Sequence, residues 1–177
     1  MLSPVKLIAC SYARHAPVIL AIMNDAILHS TALYEYRPLA PESMEAWFRA
    51  KAEAGFPVLG MESESGELLG FASYGTFRAR PAYKYSVEHS VYVTGGHHGR
   101  GIGSALMREL IRTAVEQERH LMIGGIDAQN AASIAFHRKL GFEHAGTIRQ
   151  AAYKFGRWLD LAFYQLILPT PVTPVEG

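Results

Sequence analysis

Apolar positions along the chain follow two periods, and the order in which those periods alternate predicts the fold class. Val5–Ala9 is a short apolar run and predicts a strand. From Arg14 to His29 the residues Val18, Ile19, Ile22, Met23, Ala26 and Ile27 recur at helical spacing in one stripe. Pro17 falls near the predicted helix start, where a missing N–H costs little. Ser30–Tyr36 has no helical period and reads as a loop. Pro41-Glu42 opens a second helix with Met44, Trp47, Phe48 and Ala52 on one face, and Gly55 ends it. Val58–Glu62 and Leu68–Thr76 read as strands joined by the turn Ser63-Glu64-Ser65-Gly66. A loop, Phe77–Tyr85, leads to a strand over Val87–Val93. The helix Gly103–Glu118 follows, with Leu106, Leu110, Ile111, Ala114 and Val115 inward. His120–Ile126 predicts a strand and Ala131–Leu140 a helix closed by Gly141. Phe142–Ile148 and Arg157–Leu168 predict late strands, and in the second Leu159, Leu161 and Phe163 alternate with Trp158, Asp160 and Ala162.

This order predicts an α+β protein with helices packed around one mixed sheet. Neither an internal repeat nor a linker interrupts it, so residues 1–168 are expected to form a single domain. Residues 169–177, with three prolines, are expected to be a flexible tail.

One stretch carries chemistry. In Glu88–Leu106, EHSVYVTGGHHGRGIGSAL, a strand runs into a turn with glycines at the alternate positions Gly99, Gly101 and Gly103, and an amphipathic helix follows at once. A strand, a glycine-rich turn and a helix N-terminus in that order present backbone N–H groups and a positive dipole end to an anion. A P-loop requires Gly-Lys-Ser/Thr where this chain has Gly101-Ile102-Gly103-Ser104. A dinucleotide-binding fingerprint would place its third glycine at Ser104, and the nearest candidate for its distal acidic residue is Asp127.

The stretch His98-Gly99-Arg100-Gly101-Ile102-Gly103 resembles the acetyl-CoA loop of the GNAT superfamily of N-acetyltransferases, with His98 in place of the usual Gln or Arg. A second block, from Asn130 through Ser133, Phe136 and His137 to Gly141-Phe142, is similar to another signature of that superfamily, with His137 at its usual Tyr. The resemblance implies a mostly antiparallel mixed sheet flanked by helices, with splayed central strands between which acetyl-CoA lies. Val91, Tyr92 and Val93, the loop residues His98 to Ser104, and Asn130 and Ser133 are then expected to contact the co-substrate. Asn130 also suits the cap of the helix that it precedes.

Two further stretches, Thr76–Val93 and Tyr153–Gln165, are similar to the phosphinothricin and methionine sulfoximine/sulfone acetyltransferase subfamily, and the likeness spans about Lys6 to Leu168. It implies transfer of acetyl to the α-amino group of a small amino-acid analogue, with Glu88 as general base, and a homodimer. Amide formation needs a neutral amine, so a base near the thioester is required at pH 7. His137 would be either the proton donor to the leaving thiolate or a packing residue against the co-substrate. Arg78 and Arg80, in the loop before Glu88, have the guanidinium geometry for a substrate carboxylate. Tyr83, Tyr85, Tyr34 and Ser90 are expected to shape the acceptor pocket. His89 alternates with Glu88 and points to the opposite face, toward a hydrogen bond. Trp158 and Asp160 are expected to be structural, at a pocket wall or a dimer contact. Other readings on the same fold are acetylation of a peptide N-terminus or a polyamine, and a non-catalytic acyl-CoA-binding module. The basic loop disfavours polycations.

Composition adds exclusions. With 177 residues, 49% hydrophobic and 19% charged, at net charge +1, neither a nucleic-acid partner nor a membrane surface is indicated. Cys10 is the sole cysteine, so no internal disulfide forms, and an apolar setting predicts a buried thiol. His97-His98 have no carboxylate or thiol at ligand spacing, so no metal is expected. Without a signal-like N-terminus or a long apolar run, the expected location is the cytoplasm.

Overall fold

A computed structural model describes residues 5–176. Residues 1–4 and Gly177, at the ends of the expected domain and tail, lie outside the described residues. Seven strands and four α-helices are present among them: β1 Val5–Ala9, α1 Tyr12–His29, α2 Ser43–Glu53, β2 Val58–Ser63, β3 Leu68–Thr76, β4 Ser86–Val93, α3 Ile102–Glu116, β5 Leu121–Asp127, α4 Ala131–Lys139, β6 Glu143–Lys154 and β7 Arg157–Ile167. A short 3₁₀ turn, Pro81–Tyr83, lies before β4. The strands are ordered β1-β2-β3-β4-β5-β7-β6. The pairs β1/β2, β2/β3, β5/β7 and β6/β7 are antiparallel, and β4/β5 is parallel. The parallel ladder runs from Ser86↔Leu121 to Glu88↔Ile123, well short of the full length of either strand.

The chain forms two compact units. One ends at Tyr74 and resumes over Ser90–Leu110. The other comprises Gly75–His89 and the chain from Ile111 onward. In the first, α1 buries His15, Ala16, Ile19, Ile22, Met23 and Ile27. Val18, expected in the stripe, is instead 39% exposed. It lies on the flank of an arc centred on Ile19 and Ile22, and His15 and Ala16 fill the N-terminal end of that arc. The helix begins at Tyr12, so Pro17 is an interior residue rather than a first-turn one. It removes one donor from the ladder at an exposed position. The Ser11 N–H at the helix start donates to His15 Nδ1 at 2.9 Å. His15 Nε2 then carries the proton and donates to the buried Glu62 carboxylate at 3.3 Å, which Arg14 also meets at 2.8 Å.

Helix α2 ends in a Schellman turn: Phe56 N–H donates to Lys51 O and Gly55 N–H to Ala52 O, with Gly55 at φ +67°. Met44 is buried on α2 and Ala52 is exposed, so the inward face is narrower than its sequence suggests. Ile19, Ile22, Met23, Met44, Val58, Leu68 and Phe71 form the core of this unit. Cys10 is half-buried, and burial, then the Glu62 carboxylate, push its thiol up to about 12, which keeps it protonated and inert.

In the second unit β6 is longer than the expected Phe142–Ile148. It continues to Lys154 across an irregularity between Ile148 and Ala152. There Gln150 adopts φ +53° and its N–H donates to Asp160 Oδ1 at 2.8 Å. The bulge breaks the alternation by which a strand is read. Phe155 and Gly156, both at positive φ, then turn β6 into β7. On β7 the buried residues are Leu159, Ala162 and Tyr164, whereas Leu161 and Phe163 are only half-buried. Burial therefore passes from one face of the alternation at Leu159 to the other at Ala162. In the stretch expected to be flexible, Thr170 Oγ1 donates to Arg119 O at 2.6 Å, and Val175 N–H donates to Tyr85 Oη at 3.0 Å.

Candidate active site

In the first unit, β4 ends at Val93 and Thr94 anchors the turn, with both its N–H and its hydroxyl donating to Leu69 O at 2.9 and 3.0 Å. Gly96, Gly99 and Gly101 follow at φ +79°, +75° and +81°. A Cβ at Gly99 or Gly101 would meet nothing within 4 Å, so these glycines supply backbone conformation and not room. Ile102 is buried and pins the first turn of α3. The Ala105 N–H donates to Gly101 O at 2.9 Å, which makes it the first closed helical bond. The N–H groups of Ile102, Gly103 and Ser104 precede it and are the donors that a helix start leaves for a ligand. No acidic residue lies in that turn to repel an anion. His98 and Arg100 are exposed, and Val91, Tyr92 and Val93 are half-buried. This geometry fits a pyrophosphate.

A prediction follows for the turn. Gly101→Asp and Gly101→Asn strain the backbone alike at φ +81°, but only Asp adds charge. Gly101→Asp is expected to bind acetyl-CoA at least about tenfold more weakly than Gly101→Asn, through repulsion of the pyrophosphate. Equal affinities in calorimetry would remove the loop as the anion site.

In the second unit, strand alternation sorts the residues by face. Glu88 is paired with Ile123, Gly125 with Phe163, and Asp127 with Leu161. Glu88, Gly125, Leu161 and Phe163 therefore share one face. A Cβ on Gly125 would lie 3.2 Å from Glu88 Oε1 and 3.2 Å from Leu161 Cδ1, so the carboxylate leans over a position where a side chain would crowd it. Burial raises the Glu88 pKa above its ordinary value, and the Arg78 guanidinium pulls it partly back. Phe77 meets Phe163 edge-on at 6.3 Å and Tyr83 at 6.0 Å, and the Arg78 guanidinium lies 5.2 Å over the Phe77 ring. Packing of Phe77 thus brings the loop with Arg78 and Tyr83 to the face that Glu88 occupies. Arg80 is exposed, and its carbonyl accepts the Tyr83 N–H at 3.0 Å.

The opposite face is filled. His89 and His137 are both buried, stacked with centroids 5.0 Å apart, with Nε2 to Nε2 at 3.0 Å. His137 Nδ1 lies 2.7 Å from Ser133 O, a carbonyl that can only accept, so Nδ1 carries the proton. His137 Nε2 is then the acceptor and His89 Nε2–H the donor. His89 Nδ1 is left with a buried lone pair and no partner among the described residues. Burial, and then the neighbouring imidazole, hold His89 down to about 3, and burial also lowers His137. In this arrangement His137 has no free proton for a leaving thiolate, and it lies across the sheet from Glu88. Gly124 makes the pair possible, because a Cβ there would stand 2.8 Å from His89 Nε2 and 3.0 Å from His137 Nε2. Asn130 caps α4, its Oδ1 accepting the Ser133 N–H at 3.0 Å.

A neutral buried histidine has a signature in stability. The unfolded chain protonates His89 below about 6.5 while the folded chain resists down to about 3. Stability is therefore expected to fall as pH drops through that window, by up to about 1.4 kcal/mol per pH unit. His89→Gln should flatten the fall in urea titrations at pH 7 and pH 5, and an unchanged slope would mean that His89 titrates normally.

Other expected residues fall elsewhere. The Tyr85 hydroxyl is engaged by the main chain of Val175, accepting its N–H and donating to its O at 3.2 Å. Tyr34 and the exposed Ser90 belong to the first unit. Asp127 is buried and braces the turn before α4: Arg157 Nη2 donates to Oδ2 at 2.6 Å and the Gln129 N–H to Oδ1 at 3.0 Å. His97 Nδ1 lies 3.2 Å from Thr94 Oγ1. Sequence reasoning passed over Gly124-Gly125. The signal was there, since two adjacent glycines inside a strand mark close approach on both faces.

Residues 22–142 match the family model "Acetyltransferase (GNAT) family". The chain belongs to the GNAT acetyltransferase family. An L-methionine sulfoximine/L-methionine sulfone acetyltransferase of Pseudomonas paraeruginosa is 46% identical to it over 159 residues, which cover 89% of this chain and 92% of that one. A solved chain from Acinetobacter baylyi ADP1 is 56% identical, with a TM-score of 0.97 over 99% of this chain and 98% of its own. A phosphinothricin acetyltransferase from Sinorhizobium meliloti, solved in complex with acetyl-CoA, is 35% identical with a TM-score of 0.91, covering 98% and 94% of the two chains. The GNAT fold expected from the sequence is thereby established, and the protein is an acetyl-CoA-dependent N-acetyltransferase.

Proposed function

We propose that this GNAT acetyltransferase acetylates the α-amino group of a small amino-acid analogue such as methionine sulfoximine, methionine sulfone or phosphinothricin, with Glu88 as general base. The observation that carries the reading is β4. One eight-residue strand holds Glu88, its carboxylate over the exposed Gly125, and its chain continues into the glycine turn. The names of the relatives support the acceptor class, and the cationic Phe77–Tyr85 loop suits an acceptor with its own carboxylate.

The ammonium gives one proton to Glu88, directly or through a water, and this proton passes on to solvent. The free amine attacks the thioester carbonyl, forming a C–N bond and a tetrahedral oxyanion. A backbone N–H in Val91–Val93 stabilises that charge. Collapse breaks the C–S bond, and the second nitrogen proton ends on the departing thiol. Arg78, with Arg80, holds the acceptor carboxylate, so that an oriented attack replaces a random encounter. The His89–His137 pair sets the β5 and α4 backbone behind the site.

The same reading carries a homodimer. β6 is the terminal strand of the sheet, and Ile148, Tyr153, Phe155 and Trp158 stand exposed on it and its hairpin. Sedimentation should give twice the chain mass. A thiol-release assay with acetyl-CoA across amino acids, sulfoximines, sulfones, phosphinates and polyamines tests the acceptor class. Faster turnover of spermidine than of every amino-acid analogue would overturn it.

A further inference from the structure

The loop Phe77–Tyr85 carries Arg78 and Arg80, and apart from the 3₁₀ turn Pro81–Tyr83 it lies outside the strands and helices. Something other than ladder bonds must therefore hold it. Its entry is held by the packing of Phe77 on Phe163 and Tyr83. Its middle closes on itself, with Tyr83 N–H donating to Arg80 O and Lys84 N–H to Pro81 O, both at 3.0 Å. Its exit meets groups from far along the chain. Arg119, between α3 and β5, donates from Nη1 to Lys84 O at 2.8 Å. His120 and Leu121 N–H donate to Tyr85 O at 2.8 and 3.1 Å. The same turn grips the C-terminal segment. Arg119 O accepts the Thr170 hydroxyl at 2.6 Å, and His120 O accepts the Leu168 N–H at 2.7 Å. His120 Nδ1 donates to Thr170 O at 2.9 Å. Leu168 is buried and fixes where this segment leaves β7. Five residues beyond Thr170, Val175 reaches the Tyr85 hydroxyl, its N–H donating to Oη at 3.0 Å. Arg119 thus bonds the loop through its guanidinium and the C-terminal segment through its carbonyl.

We propose that Arg119 is a positioning residue for the acceptor: joined to the segment Leu168–Val175, it holds the loop of Arg78 in the conformation that receives the acceptor. The proposal rests on the reading of Arg78 as the carboxylate clamp. A loop that is mobile when empty has to be ordered by its ligand, and that ordering subtracts from the binding free energy. The bracket of Arg119, Thr170 and Tyr85 orders the loop beforehand. Ground state and transition state gain alike from this, so loss of the bracket appears in the acceptor KM more than in kcat. The coupling is also reciprocal. An acceptor that binds the ordered loop in turn stabilises the contacts that order it, so methionine sulfone should slow hydrogen exchange in the C-terminal segment as well as in the loop.

The test compares the wild type with Arg119→Ala, Thr170→Val and Thr170→Ser in the full chain. With saturating acetyl-CoA, Arg119→Ala is expected to raise KM for methionine sulfone about two- to tenfold, the worth of one hydrogen bond, with a smaller change in kcat and an unchanged KM for acetyl-CoA. Thr170→Val should raise the same KM by less, and Thr170→Ser, which keeps the hydroxyl, should behave as the wild type. In the protein without acceptor, the amides of residues 77–84 should exchange faster in Arg119→Ala and in Thr170→Val. An unaltered acceptor KM in Arg119→Ala, or a loss shared equally by kcat and both KM values, would overturn the positioning role. Loop exchange at the wild-type rate would overturn the bracket itself. Should Arg119→Ala fail to fold, the Thr170 pair decides, and equal values for Val and Ser count against the proposal. Arg78→Ala is assayed in parallel. An unaltered KM in that variant would remove the clamp reading, whereas exchange of the loop without acceptor reports on the bracket alone.

Discussion

Glu88→Gln is expected to lower kcat by roughly 100- to 10,000-fold, the usual worth of a positioned general base, while acetyl-CoA binds as before. Gln keeps the shape and one acceptor oxygen but cannot hold a proton. The pH dependence separates this role from simple positioning. Burial raises the carboxyl pKa above its usual value, against the pull of Arg78. The base works only when ionised, so wild-type kcat/KM should climb as pH rises through that raised pKa, and the variant should lack this limb. As pH approaches the pKa of the amine itself, free amine becomes available and the defect should shrink. A defect of constant size across pH would mean that Glu88 only orients the acceptor. Stability runs the opposite way. With its folded pKa above the unfolded one, Glu88 contributes stability at low pH that is lost as pH rises through the folded value. Glu88→Gln should therefore be at least as stable as the wild type at neutral pH, and thermal unfolding checks that lost activity is not lost fold.

The parts of this site that were legible in the sequence are those set by local rules. The glycine turn is written in consecutive residues, because only glycine tolerates φ near +80° at Gly99 and Gly101. The opposition of Glu88 and His89 follows from the strand period. What alternation cannot say is which face is covered. On β7 the same pattern fits Leu161 and Phe163 inward or outward, and only the packing of His89, His137 and Phe142 on the other side decides it. The histidine pair was also out of reach, since each residue is ordinary alone and the pair exists because Gly124 leaves space for it. The length of β6 was hidden by the bulge at Gln150. Tyr85 read as a pocket residue through its place in the loop, but its hydroxyl meets a chain segment 90 residues away.

Arg78→Ala is expected to raise KM for methionine sulfone or phosphinothricin by about 10- to 150-fold, the worth of a charge-assisted hydrogen bond, with a smaller fall in kcat. A carboxylate clamp holds ground state and transition state about equally, so its loss appears mostly in KM. Arg78 has a second effect that the clamp alone does not predict. Its positive charge lowers the Glu88 pKa against the burial that raises it. Removing the guanidinium leaves burial unopposed, so the acidic limb of kcat/KM should move to higher pH in Arg78→Ala. Arg78→Lys restores a charge but not the planar fork. It should bring the limb back toward its wild-type position while recovering only part of the KM. Arg80 is exposed and is not among the charges that shift Glu88, so Arg80→Ala should leave the limb in place. If KM stays unaltered in Arg78→Ala while the limb moves, Arg78 serves Glu88 and another group binds the carboxylate. If neither changes, the loop has no part in the site.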